Sequence, residues 1–242
     1  MEKRPLVICT DPGIDDFIAL SMVLSRPEFD VLGMVALSGN VGLDVTVNNA
    51  LLACEYNARA DIPVLAGSAK PLVRPVRSAS NIHGKSGLGA SLELYAKGTP
   101  SDKNGADFII EMARKYAGKL EILSLGPLTD VALVLEKAPE IAKAIACITI
   151  MGGGVHAGNA TRYAEFNIVA DPEAASVVFA IINSSQISAE PERFAGRQPA
   201  GFDTSRVRTL SFCARRPSLA ELSPRCCQAT RTFTSRSITS TA

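Results

Sequence analysis

The sequence predicts an α/β fold, a mostly parallel open sheet with helices on both faces, and three observations predict it. Short apolar runs alternate with stretches of helical periodicity from Pro5 to Phe179, the pattern of crossover units that build a parallel sheet. Most of the apolar runs stop at turn signals rich in Gly, Pro, Asn or Ser, as strands do. The 242 residues suffice to bury a substantial core.

Leu6-Val7-Ile8-Cys9 reads as a buried strand, and Pro12-Gly13 turn the chain just after it. Phe17, Ile18, Leu20, Met22, Val23 and Leu24 then follow helical spacing. Residues 30–37 form a second apolar run that ends at Ser38-Gly39-Asn40. A helix is expected over residues 44–58, where Val47, Leu51, Leu52 and Cys54 share one side. Residues 64–66 make a short strand, and the Gly- and Ser-rich stretch 78–98 a long loop. A helix over 103–116 and a strand over 121–125 follow, the strand closed by Gly126-Pro127. Residues 129–137 are helical and 144–151 a buried strand. The last helix opens at Pro172, with Asp171 as its N-cap. Ligands of parallel sheets gather at the carboxyl ends of strands. Residues 11–16, 38–40, 125–127 and the segment from Gly152 all fall there.

The net charge of +1 argues against nucleic acid or a membrane surface as the main partner. No apolar stretch reaches transmembrane length, and the N-terminus turns acidic too soon for a signal peptide. The six cysteines show no metal spacing, and Cys9, Cys54 and Cys147 fall in apolar patterns where a reduced, buried thiol is the default, which points to the cytoplasm. The charge balance conceals a split. Up to residue 180, 16 Lys and Arg stand against 20 Asp and Glu; from residue 181 onward, 9 Arg face 4 acids, and no Lys follows Lys143. Residues 1–180 therefore read as one α/β domain. Residues 181–242 read as a divergent tail rich in Arg, Ser and Thr, expected to be poorly ordered. Cys226 and Cys227 are adjacent with no His after them, which is not a zinc spacing.

Two segments carry chemistry. Asp11-Pro12-Gly13-Ile14-Asp15-Asp16 places three carboxylates within six residues, with no Lys or Arg between Pro5 and Ser25. Acids this close raise one another's pKa or bind a cation, and a hard divalent ion suits oxygen ligands. The plainer alternative is that they cap a turn and complement a helix dipole. The second segment runs from Met151-Gly152-Gly153-Gly154 through Asn159 to Ala164-Glu165-Phe166-Asn167. Its glycines let backbone approach a ligand, and Asn159, Glu165 and Asn167 suit sugar hydroxyls. Glu165 and Asn167 stand two apart, so an extended segment would turn both to one side. The Gly-x-Gly-x-x-Gly spacing of a dinucleotide site is absent after the first strand. So is the Asp-x-Asp spacing of the haloacid dehalogenase-type phosphatases at Asp11.

These motifs, with Gly39-Asn40, Ile82-His83-Gly84-x-x-Gly87 and Gly126-Pro127-Leu128-Thr129, resemble the inosine-uridine preferring nucleoside hydrolases over residues 4–179. The resemblance implies a nucleoside hydrolase-like, Rossmann-like fold and a Ca2+-dependent enzyme that splits a ribonucleoside into ribose and free base. It implies that Asp11 binds the metal and acts as general base, that Asp16 is a further calcium ligand, and that the Leu125 carbonyl is another. Asp15 would hold ribose hydroxyls, Asn40, Asn159, Glu165 and Asn167 would grip the ribose, and His83 would lie near the base. A homodimer or homotetramer is the implied assembly. His156 matches no motif of the family. Family members also place a His and an Asp from a later portion beside the site. No segment after residue 180 resembles that portion, and no His follows His156. The pattern is that of a truncated or frame-shifted member with an incomplete C-terminal part, so the alternative to a working hydrolase is an impaired or inactive remnant.

Overall fold

The apolar run after Arg4 forms the first strand, β1 (Arg4–Thr10), buried along all but its first residue. In the computed structural model, which describes residues 2–89, 94–154, 157–184 and 207–212, five further strands join it. They are β2 (Phe29–Ala36), β3 (Val64–Ala66), β4 (Leu120–Ser124), β5 (Ile145–Gly154) and β6 (Val207–Phe212). Every pairing is parallel and the order is β3-β2-β1-β4-β5-β6. The chain thus builds outward from β1 to β3 and then returns to the other side of β1. The carboxyl ends of β1 and β4 flank the point where the order reverses, where open α/β sheets bind ligands.

Helices fill the crossovers: α1 (Ile14–Leu24), α2 (Leu43–Tyr56), α3 (Ser80–His83), α4 (Gly105–Lys115), α5 (Thr129–Lys137), α6 (Phe166–Ala170) and α7 (Pro172–Ser184). Alternation along β1 sends Leu6 and Ile8 to one face and Val7 and Cys9 to the other. The first face packs on Leu20 and Leu24 of α1 and on Val47, Ala50 and Cys54 of α2. The second packs on Phe108 and Ile109 of α4, Val131 and Leu135 of α5, and Val178 of α7. Helices on both faces of a parallel sheet are what the alternation of patterns predicted.

Three features differ from the sequence reading. The expected loop over 78–98 contains the short helix α3, and α6 stands where an extended segment was expected. The segment after residue 181 also contributes β6, paired with β5 from Ile148 opposite Val207 to Gly154 opposite Phe212. Its remaining residues past α7 lie outside the described residues, as do His156 and the Cys226-Cys227 pair. Among the described residues no helix is long and apolar enough to cross a membrane.

Candidate active site

Asp11 follows the last residue of β1, whose neighbours hold it in register: Leu37 N donates to Thr10 O (3.0 Å) and Leu125 N to Cys9 O (2.8 Å). Gly13 then opens α1 as an N-cap without a side chain. Asp16 compensates by folding back, so that its Oδ2 accepts from Gly13 N (3.0 Å) and from Asn40 Nδ2 (2.9 Å). The capping role is therefore real for Asp16, yet its Oδ1 carries no protein hydrogen bond among the described residues. Asp15 turns outward with 77% of its side chain exposed, 4.0 Å from His83 Nδ1. That nitrogen accepts from Ile14 N (3.2 Å), so a neutral His83 carries its proton on Nε2.

Asp11 is wholly buried beneath this turn. Its Oδ2 accepts from Asn40 N (2.7 Å), Asn40 Nδ2 reaches its backbone carbonyl (3.1 Å), and its Oδ1 has no partner among the described residues. Gly39 and Gly126 close over the carboxylate from the β2 and β4 sides, so near that a Cβ on either would strike its oxygens. Glycine is the residue that such an approach admits.

The opposite wall is the start of α6. Glu165 is its N-cap, and Glu165 Oε2 accepts from Asn167 N (2.9 Å) and Gly153 N (3.2 Å). This overturns the extended segment expected here: the two side chains are neighbours because a helix begins between them. Asn167 Nδ2 donates to Leu125 O (2.6 Å) and Met151 O (3.1 Å), and Asn159 Oδ1 accepts from Phe166 N (2.7 Å).

Asp15, Asp16, Asn40, His83, Leu125, Asn159, Glu165 and Asn167 line one cleft of about 380 Å³, within the usual size for a small-molecule site. Asp11 does not line it and is buried behind Asn40, whose backbone N and Nδ2 both bond to it. Ala19, Ala79, Ile82, Met151, Ala160 and Phe166 complete the walls. Sequence reading did not single these six out as ligand contacts, because small and apolar side chains carry no chemical signature.

The electrostatics of the cleft are one-sided. Among the described residues no Lys or Arg lines it, and the amide donors of Asn40 and Asn167 are spent on protein oxygens. Among the described residues five acceptors remain unpaired, Asp11 Oδ1, Asp16 Oδ1, Asn40 Oδ1, Glu165 Oε1 and Asn167 Oδ1, and they outnumber the free donors, Asn159 Nδ2 and His83 Nε2. Burial, and then the charge of Asp16, pushes the Asp11 carboxyl well above the usual range. Burial likewise pushes Asp16 up to about 7, with Asp15 adding to the effect. A cation nearby would reverse both shifts. Among the described residues no three His, Cys, Asp or Glu side chains form a ready-made metal cluster. Two carboxylates and the Leu125 carbonyl nonetheless fit a hard cation that takes its other ligands from water or hydroxyls. The orphaned Asp11 Oδ1 is the observation that favours one.

The sequence model of the family described as inosine-uridine preferring nucleoside hydrolase matches residues 6–220, past the change in composition at residue 180. The chain is 39% identical over 181 residues to the probable uridine nucleosidase 2 of Arabidopsis thaliana, covering 74% of this chain and 56% of that protein. It is 39% identical over 177 residues to the non-specific ribonucleoside hydrolase RihC of Escherichia coli, covering 73% and 58%. The solved plant nucleoside hydrolase PpNRh1 superposes with a TM-score of 0.70 at 37% identity, covering 74% of this chain and 57% of that one. The chain thus spans somewhat more than half the length of the relatives it matches. It belongs to the inosine-uridine preferring nucleoside hydrolase family.

Proposed function

We propose that this chain is a ribonucleoside hydrolase that cleaves the N-glycosidic bond of purine or pyrimidine ribonucleosides, giving ribose and free base, with Ca2+ as its cofactor. The observation that carries this reading is the wall of unpaired acceptors over a buried, half-satisfied Asp11. Such a wall suits a ligand rich in hydroxyl donors and a transition state that gains positive charge.

Asp11, Asp16 and the Leu125 carbonyl would hold the ion. When bound, it keeps the acids ionised and supplies a Lewis acid beside the sugar. Asp11 acts as general base: Asn40 N fixes Oδ2, which leaves Oδ1 as the oxygen that accepts a proton from the attacking water. Asp15, Asn40 and Asn167 accept from ribose hydroxyls. Glu165 Oε1 and Asn159 Nδ2 offer an acceptor and a donor to another hydroxyl, since Asn159 Oδ1 is already engaged. His83 presents Nε2–H toward the departing base. A cytoplasmic role in nucleoside catabolism and salvage, and a homodimer or homotetramer, belong to the same reading.

The test is release of reducing ribose from a panel of ribonucleosides in excess Ca2+. Asp11→Asn should lower it by roughly 10²- to 10⁴-fold, the span of one general base. Release of phosphate from phosphorylated substrates, with no free base from nucleosides, would sink the proposal. The change of composition after residue 180, where nine Arg and no Lys occur, favours a second reading, an impaired or inactive relative. A folded protein that binds Ca2+ and releases no ribose from any nucleoside would select that one.

A further inference from the structure

Asp130 is a buried acid with no part in the chemistry above. It sits in the first turn of α5, five residues beyond Leu125, and is 2% exposed. It does not cap its own helix, whose N-cap is Leu128 without a side-chain bond. Its side chain instead crosses to the loop after β3, where Oδ2 accepts from Ser68 N (3.1 Å) and Oδ1 from Ser68 Oγ (3.1 Å). No cation answers it among the described residues, and burial raises its pKa. A lone buried carboxyl is costly to keep, so its two bonds need a purpose.

That purpose is legible in what Ser68 does next. Past the end of β3, Gly67 N donates to Ala36 O (2.7 Å) and Ser38 N donates to Ser68 O (2.9 Å). Gly67 itself lies so near that a Cβ would come within 2.7 Å of Asp130 Oδ2. Ser38 begins the turn that carries Asn40, and Gly39 N closes it on Val41 O (3.2 Å). Asn40 then holds Asp11 and Asp16 together. Asp130 also stands on the helix that follows Gly126, the residue closing over Asp11 from the β4 side.

We propose that Asp130 is a positioning residue: through Ser68 it ties the 38–40 turn to the turn before α5, so that Asn40 stays aimed at Asp11 and Asp16. The proposal rests on the hydrolase reading only for what the two acids do, and its geometry stands apart from that reading.

The experiment is amide hydrogen exchange on the metal-free full chain, followed by calorimetric Ca2+ titration of the same proteins. Asp130→Ala should speed exchange at Ser38 and Asn40 by about tenfold or more relative to β4 amides. Asp130→Asn, which can still accept from Ser68 N and exchange a bond with its hydroxyl, should stay within about threefold. A cavity variant on the same helix, Leu135→Ala, controls for general loosening and should leave the ratio unchanged. Should Asp130→Ala fail to fold, Ser68→Ala removes only the hydroxyl arm and should raise the ratio by about threefold. Ca2+ affinity should fall about tenfold in Asp130→Ala and recover in Asp130→Asn. An unchanged exchange ratio in the folded variants, or Asn behaving like Ala, overturns the proposal. A parent that binds no Ca2+ and releases no ribose defeats the hydrolase reading, and the exchange ratio still decides this one.

Discussion

The two oxygens of Glu165 meet different demands. Oε2 accepts from the N–H groups of Gly153, Asn167 and Ile168 at 3.2, 2.9 and 3.4 Å, while Oε1 is left to the cleft. Glu165→Gln keeps a carbonyl oxygen for the cap and loses the charge; Glu165→Ala loses both. Melting of the Gln variant should stay within ~2 °C of the parent, while kcat/KM falls ~10-fold or more, the worth of a hydrogen bond to a charged group. The Ala variant should lose a further ~1 kcal/mol of stability as a missing cap. If Gln destabilises as much as Ala without changing kcat/KM, the carboxylate serves the helix alone. Sequence reading named Glu165 and Asn167, which line the cleft, but not how they are held. Glu is outside the usual N-cap set of Ser, Thr, Asp and Asn, so nothing announced a helix start. At Asp16 the cap uses Oδ2, which leaves Oδ1, among the described residues, for the proposed ligand role.

Where caps were conventional, elements were legible. Asp171 before Pro172 announced α7, and its Oδ1 accepts from Ala174 N (3.0 Å). Its Oδ2 was not foreseen: it accepts from Thr129 Oγ1 (2.7 Å) and Leu72 N (2.9 Å), joining three segments that are distant in sequence. Long elements with sustained periodicity, such as α5 and the four central strands, fell close to their expected bounds. Helices α3 and α6 did not, because four or five residues are too few to show a period of 3.6. The strand β6 was missed because Val207-Arg208-Thr209-Leu210-Ser211-Phe212 lies in a polar tail and pairs with a strand more than fifty residues earlier. The Asp171 junction makes a prediction at this scale. Asp171→Ala strands three donors and should cost ~2–4 kcal/mol in urea denaturation, whereas Thr129→Val should cost ~1 kcal/mol. The double variant should fall short of the sum, since the two share one bond. A loss below ~0.5 kcal/mol for Asp171→Ala would mean that the three segments are held by packing alone.

Over the whole molecule, the order β3-β2-β1-β4-β5-β6 decides where the acids meet. The reversal between β1 and β4 opens a crevice at their carboxyl ends, and the turns after β1, β2, β4 and β5 all empty into it. Alternating patterns made that convergence readable from the sequence. The net acceptor surplus was not readable, because it depends on which amides spend their donors on Asp11, Asp16 and Leu125. Folding therefore leaves buried acids whose pKa values are raised and, among the described residues of the cleft, no cation to answer them. A ligand that binds the native state alone adds RT ln(1 + [L]/Kd) to stability, ~2.7 kcal/mol at one hundred times Kd. For a domain of this length that is ~5–10 °C in melting temperature. Excess Ca2+ should raise melting by this amount and EDTA should reverse it. Mg2+ should do less, since it demands a tighter octahedral shell than two carboxylates and a carbonyl supply. Asp11→Asn should abolish most of the Ca2+ response, leaving the metal-free melting unchanged or raised, because an uncharged amide suits the buried position better than a carboxylate without its ion. A parent whose melting is indifferent to Ca2+ at millimolar concentration would remove Asp11, Asp16 and Leu125 as its ligands, and the acceptors would then have to be met by sugar hydroxyls alone.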